Sequence, residues 1–280
     1  MFNNEKIDKI GLIAGSGNLP LSIVEQCKQK SIKPYVLLMK NFANEDDYKD
    51  VERITINFGD VGKGLSFFKK NNIKYVVFAG AVKKPDIKTI WPDLKGFSLL
   101  FQLLKCKIFG DDTILQTVIK FLEKNGLQIV PVDSILDNSK IEEGIAGNVK
   151  LPNEDYKKDI ELGINVLKTI SDFDIGQSIV IQNGMVVGIE CIEGTKELIK
   201  RCNQIKYNTG RKPILVKIKK INQTKKADLP TIGENTILEV KEAGFAGIAI
   251  DYQNTLVINK EKTIELANKE KIFLIGIGIN

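Results

Sequence analysis

Short apolar runs alternate with helix-length amphipathic stretches through the first 132 residues of this 280-residue chain, and that alternation narrows its fold more than any other feature. Residues 10–14, 35–39, 54–58, 75–79 and 128–132 read as strands. A helix follows the first, where Pro20 suits an opening turn and Ile23, Val24 and Cys27 share an apolar face. A second, near residues 65–71, leads into the fourth strand. Parallel strands cannot be joined by tight hairpins, and helices of this length supply the crossovers they need. The expectation is an α/β chain of two domains: a parallel sheet with helices on its faces over residues 1–133, and a mixed α/β domain over 134–280.

Residues 133–153 are rich in Asp, Glu, Asn, Ser and Gly and lack a long period, which places the boundary at their start. Beyond them, residues 156–170 read as a helix. Asn183-Gly184 between two apolar runs signals a type I′ hairpin. A helix through Leu198 and Ile199 and strands at 214–218, 247–250, 256–258 and 273–277 complete the second domain.

Histidine is absent altogether, which removes Ser-His-Asp and Cys-His catalysis and every histidine-ligated metal centre. Acid–base or metal chemistry must then use carboxylates, Lys, Tyr, Cys, backbone or water. Cys27, Cys106, Cys191 and Cys202 are widely spaced and read as buried thiols of a reducing compartment. No run approaches a membrane span and the N-terminus is not signal-like. A cytoplasmic protein is expected, able to touch a membrane surface from outside.

Net charge is +6, and residues 206–226 hold eight cations and no acid. That local excess points to an anionic ligand rather than to nucleic acid, or else to a solvated lysine-rich edge. It leads through Lys225 and Lys226 to Asp228, and Thr231 and Glu234 stand at capping-box spacing before a helix. An acid and cations beside a helix start could hold a hydrated divalent metal and a phosphate; a solvated turn is the plainer alternative.

Other candidates lie in the first domain. Gly15-Ser16-Gly17 follows the first strand, where backbone amides can meet a phosphate or simply close a turn. The spacing from Gly11 fits neither the dinucleotide nor the P-loop pattern, and no acid ends the second strand, which disfavours NAD. Gly80-Ala81, with Lys83 beyond, would let a polar ligand approach a strand end, or simply form a surface turn. Residues 96–104, the most apolar stretch, are either core or the lining of an acyl groove. Gly110-Asp111-Asp112 is either a helix junction or an acidic site.

Across nearly its whole length the chain resembles the UDP-2,3-diacylglucosamine pyrophosphatases of the LpxI type, from bacterial lipid A synthesis. The resemblance runs through residues 11–15 with Leu19-Pro20, 78–80 with Val82 and 85–86, 110–112, 174–177 and 193–195. Its most specific block is Asp228-Leu229-Pro230-Thr231-Ile232-Gly233, and residues 243–248 close the series. It implies a Rossmann-like nucleotide- and lipid-binding domain, a C-terminal hydrolase domain, and Mg²⁺-assisted release of UMP and 2,3-diacylglucosamine 1-phosphate by attack of water on the β-phosphorus. It makes Asp228 the catalytic residue, and Asp228 with Glu193 the metal ligands. Substrate binding falls to Gly15, Ser16, Leu19, Gly80, Ala81, Lys83, Gly110, Asp111, Asp112, Gln177, Thr195, Lys226 and Thr231. A homodimer and peripheral contact with the inner membrane also follow from the resemblance. This chain departs from the pattern at Lys196, where Asp is usual, at Lys225 and Lys226 in place of arginines, and at Ile221-Asn222 in place of Pro-Gly. Lys217, Lys220 and Gln223 keep it. Two other readings remain open: a pyrophosphatase for soluble nucleotide sugars, which would not need acyl chains, and a nucleotide-sugar binding module without turnover.

Overall fold

The computed structural model describes residues 7–83, 86, 89–105, 111–220 and 229–279, without the side chains of residues 111 and 112. They form two compact units that divide between Asp137 and Asn138.

The first unit runs β1 (Lys9–Ala14), α1 (Leu19–Gln29), β2 (Lys33–Met39), β3 (Glu52–Ile56), α2 (Val61–Lys70), β4 (Tyr75–Ala79), α3 (Leu94–Leu104), α4 (Asp111–Lys124) and β5 (Gln128–Ile129). All five strands are parallel, in the order β3-β2-β1-β4-β5. Strand β2 is buried at six consecutive positions, as a strand covered on both faces must be. On one face Tyr35, Leu37, Phe68, Val76, Leu99 and Ile119 join in a core beneath α2, α3 and α4. The chain moves outward from β1 to β2 and β3, then crosses back to place β4 on the other side of β1. The carboxyl ends of β1 and β4 therefore flank the topological switch point, the usual ligand crevice of open α/β sheets.

The second unit runs β6 (Gly144–Ile145), α5 (Asp155–Ile170), β7 (Ser178–Gln182), β8 (Met185–Ile189), α6 (Thr195–Ile205), β9 (Ile214–Lys217), β10 (Thr231–Ile232), α7 (Glu234–Glu242), β11 (Gly247–Asp251), β12 (Leu256–Val257), α8 (Lys260–Glu270) and β13 (Phe273–Ile277). Six strands form a mixed sheet, β6-β13-β11-β9-β7-β8, in which β9, β11 and β13 are parallel. Alternation sorts the residues of each strand between two cores. Ile179, Ile181, Ile214, Val216, Phe273 and Ile275 pack with Tyr156, Ile160 and Leu167 of α5. Val180, Leu215, Ile248, Ile250 and Leu274 pack with Leu198 and Cys202 of α6, and with Ile237 and Val240 of α7.

Two expectations change here. Thr231 does not cap α7: it lies in β10 and its hydroxyl donates to the Leu229 carbonyl at 3.1 Å. Gly233 is the N-cap, and its amide donates to Thr236 Oγ1 at 3.4 Å, while Glu234 accepts from Asn259 at 3.2 Å. The short pairing of β10 with β12 draws Thr231 into extended backbone and moves the helix start two residues along. Of the cysteines, Cys27 and Cys202 are buried as expected but Cys191 is exposed, and Cys106 lies outside the described residues.

Candidate active site

In the first unit the sequence candidates meet at the switch point. Ser16 and Ala81 form an isolated bridge between the β1–α1 and β4–α3 connections. A Cβ on Gly15 would stand 2.5 Å from the Ala81 carbonyl oxygen, and one on Gly80 2.6 Å from that of Ser16. Gly80 also holds φ +86, a left-handed conformation that favours glycine. Both glycines are required for two backbones to touch. This seam revises the expected phosphate cradle: the Gly15 amide donates to Ala79 O at 2.8 Å and the Ser16 amide to Ala81 O at 2.9 Å. Those amides tie the strand ends together rather than facing a ligand. Leu19 opens α1, and Gly80, Ala81 and Lys83 are exposed along the rim of the crevice.

In the second unit a buried polar cluster sits at the carboxyl end of β9. Antiparallel pairing places Ser178, the first residue of β7, opposite Lys217, the last of β9. Lys217 is buried, and its Nζ donates to Thr195 Oγ1 at 2.9 Å. Thr195 Oγ1 donates in turn to Glu190 Oε1 at 3.0 Å, and Ser178 Oγ lies 3.3 Å away. The other Glu190 oxygen accepts from the Gln177 amide at 3.3 Å. Beside them Lys220 pairs with Asp174, which holds a left-handed backbone at the end of a 3-10 turn. Gly176, at φ +40, passes so near Glu190 that a Cβ would stand 2.0 Å from its carbonyl oxygen. A cation, an acid and hydroxyls from four segments thus converge, and the low dielectric strengthens every charge among them. The reach of Lys217 shows at Glu239: burial raises that carboxyl, and Lys196 and Lys217 partly offset the rise.

Of the carried-over positions, Thr195 and Gln177 lie within this cluster. Glu193 does not. Burial works to raise its carboxyl, but Arg201 Nη2 at 2.8 Å and the Cys191 amide at 3.1 Å hold it below the ordinary value. Thr231 lies in β10, outside these contacts. Asp228, Lys226 and Gly110 fall outside the described residues, and Asp111 and Asp112 begin α4. Glu190, Lys217 and Asp174 were not among the site candidates read from the sequence. Lys217 and Asp174 stood in matching blocks, but Glu190 had no such signal. A β-bulge between β7 and β8 shifts the hairpin by one residue, pairing Val180 with Gly188. That slip brings the Glu190 amide onto the Ser178 carbonyl at 2.9 Å, where an unbulged hairpin would set Ile189.

Two open cavities, of about 660 and 570 Å³, lie elsewhere. One is lined by Gly62, Ser66, Asp93 and Leu127, the other by Tyr156, Arg211, Phe245 and Lys271. The first runs along α2 from its start at Gly62, and the second lies beside the starts of β9, β11 and β13.

Residues 9–139 match the family model of the LpxI N-terminal domain, and residues 142–275 that of the LpxI C-terminal domain. A protein of Caulobacter vibrioides described as UDP-2,3-diacylglucosamine pyrophosphatase LpxI is 31% identical over 276 residues, spanning 96% of this chain and 97% of its own length. Among solved structures, the enzyme WbmG of Bordetella bronchiseptica in complex with NAD and UDP is 15% identical over 45% of this chain and 37% of its own, at a TM-score of 0.30. The UDP-N-acetylglucosamine 4-epimerase of Bacillus cereus is 12% identical over 96% of this chain and 77% of its own, at 0.29. Neither likeness bears on function.

Proposed function

The chain belongs to the LpxI family, and from that membership we propose that it hydrolyses the pyrophosphate bond of UDP-2,3-diacylglucosamine to UMP and 2,3-diacylglucosamine 1-phosphate. The observation that carries this reading is the end-to-end match to a relative of that name. The buried Lys217–Thr195–Glu190 cluster supports it as a place for anion chemistry without imidazole.

In the reaction a water oxygen bonds to the β-phosphorus, the bond from that phosphorus to the bridging oxygen breaks, and the bridging oxygen leaves with UMP. We assign Asp228 to the attacking water, as its orienting group or base. Lys220 and the Thr195–Lys217 pair form a polar floor that screens the diphosphate. Mg²⁺, when bound, supplies further neutralisation of that charge. Among the described residues no three acidic or cysteine side chains are grouped to cage a metal. Asp228, with Glu193, would hold such a hard cation through carboxylate oxygens. Glu193 would have to exchange its Arg201 contact to join. No described helix is long and apolar enough to cross a membrane. Peripheral contact at the cytoplasmic face, by a homodimer, is the arrangement the family resemblance implies.

Turnover in ¹⁸O-labelled water with Mg²⁺ tests this reading. Label in the lipid phosphate supports attack at the β-phosphorus, and label in UMP overturns it. Asp228→Ala should abolish UMP release while the lipid substrate still binds. Equal turnover of a UDP-sugar without acyl chains would favour the soluble-substrate enzyme instead.

A further inference from the structure

We propose that α3, with Trp91 before it, docks this protein on an anionic lipid surface, the helix lying in the plane of the headgroups. This deepens the reading above, since a diacylated substrate is presented at such a surface.

Helix α3 is apolar over most of its circumference, with Ser98, Gln102 and Lys95 along one flank, yet only one apolar side is covered. Gly96 and Leu99 are buried and Leu103 packs against the core of the first unit. On the opposite side Leu94, Phe97, Phe101 and Leu104 are 93, 65, 59 and 55% exposed, and Trp91 is 90% exposed. At 100° per residue the four helix positions fall within about 80° of one another, a continuous stripe. A chain of this size rarely leaves so much aromatic and leucine surface in water without a use for it.

Charge selects the occupant. Among the described residues of 83–107, Lys83, Lys95 and Lys105 are exposed cations, and Asp86 and Asp93 are the acids. Asp93 is turned inward: Oδ1 caps the Gly96 amide at 2.7 Å, and Oδ2 accepts from Gly62 at 2.7 Å and Lys63 at 3.2 Å. Lys105 lays its ammonium 4.3 Å from the centre of the Phe101 ring, so its stem follows the stripe while its charge stays at the rim. Lys95 bonds Asn125 on the flank at 2.9 Å. Apolar side chains with a cationic border match acyl tails beneath anionic headgroups. A second copy would bring two cationic borders together across a symmetric contact, which like charges oppose.

Trp91 is the sole tryptophan of the chain and lies beside the stripe, so its emission reports the docking directly. With vesicles of phosphatidylcholine and phosphatidylglycerol it should shift to the blue, far less with phosphatidylcholine alone, and return as salt is added. Phe97→Ser with Phe101→Ser should weaken vesicle partition by about tenfold or more while far-ultraviolet circular dichroism and the urea midpoint show the fold retained. Lys95→Glu with Lys105→Glu should remove only the preference for anionic vesicles. Trp91 emission that ignores anionic vesicles would overturn the proposal. So would a blue shift that grows with protein concentration in the absence of lipid, which would give the face to a second copy. A wild-type protein that shifts on vesicles but never hydrolyses detergent-dispersed UDP-2,3-diacylglucosamine would sink the proposed function and leave the docking standing.

Discussion

The Thr195 hydroxyl joins Lys217, Glu190 and Ser178 through one oxygen, so a single atom holds a buried cation and a buried acid at a fixed separation. Thr195→Val keeps the shape and removes that oxygen. Denaturant unfolding should show a loss of about 1–3 kcal/mol, and turnover should fall by roughly 100-fold, with Thr195→Ser restoring most of both. Equal activity in the valine variant would remove the cluster from the chemistry. The cysteines give a second test. Burial pushes the Cys27 and Cys202 thiols from an ordinary 9.0 up to about 11, with nearby Lys30 and Arg201 opposing the rise. Folding favours the neutral thiol at both, so their contribution is intact below pH 9 and is lost as pH rises toward 11. The urea midpoint should fall through that window, and less steeply in Cys202→Ala. In the folded protein near neutral pH, iodoacetamide should mark exposed Cys191 and spare Cys27 and Cys202.

At the scale of elements, the β7–β8 hairpin is held by more than its turn. Asn183 and Gly184, at φ +54 and +73, make the turn their sequence announces. The Gly184 amide donates to buried Asp159 of α5 at 2.7 Å, and Arg211 donates to the same carboxylate at 3.2 Å. Asp159→Ala leaves that amide and guanidinium without their shared acceptor. It should lower stability by about 3 kcal/mol in chemical unfolding, and an effect below about 0.5 kcal/mol would deny the latch. The hairpin was legible because Asn-Gly encodes left-handed backbone locally. Its bulge was not, since register there depends on Gly188 meeting Cys202 of α6, where a Cβ would stand 2.6 Å from Sγ. Helix α3 was equally ambiguous in sequence. Its hydrophobic residues serve a core on one side and meet solvent on the other, a division decided by which neighbours α2 and α4 leave uncovered.

Among the described residues, Leu37, Phe68 and Ile119 pack in a core of the first unit, and the two cores that flank the sheet of the second unit are built from that unit's own residues. Separate cores permit separate unfolding, so hydrogen exchange under denaturant should resolve two cooperative blocks. Gly80→Ala, which forces a Cβ into the Ser16 carbonyl at a left-handed position, should destabilise the first block by about 2 kcal/mol or more. Asp159→Ala should act on the second alone, and parallel loss of both blocks would show one cooperative unit. The sequence by itself determined the elements, the parallel first sheet and the family, because apolar periodicity, Asn-Gly and the Asp228–Gly233 block are local properties of the chain. Only the tertiary structure decided that the Gly15 and Ser16 amides close a seam, that Glu193 serves Arg201, and that Glu190 meets Thr195 and Lys217. Each of those outcomes depends on which backbone or charge arrives from a distant strand, and hydrogen-bond partners brought together by folding are not written in any one segment.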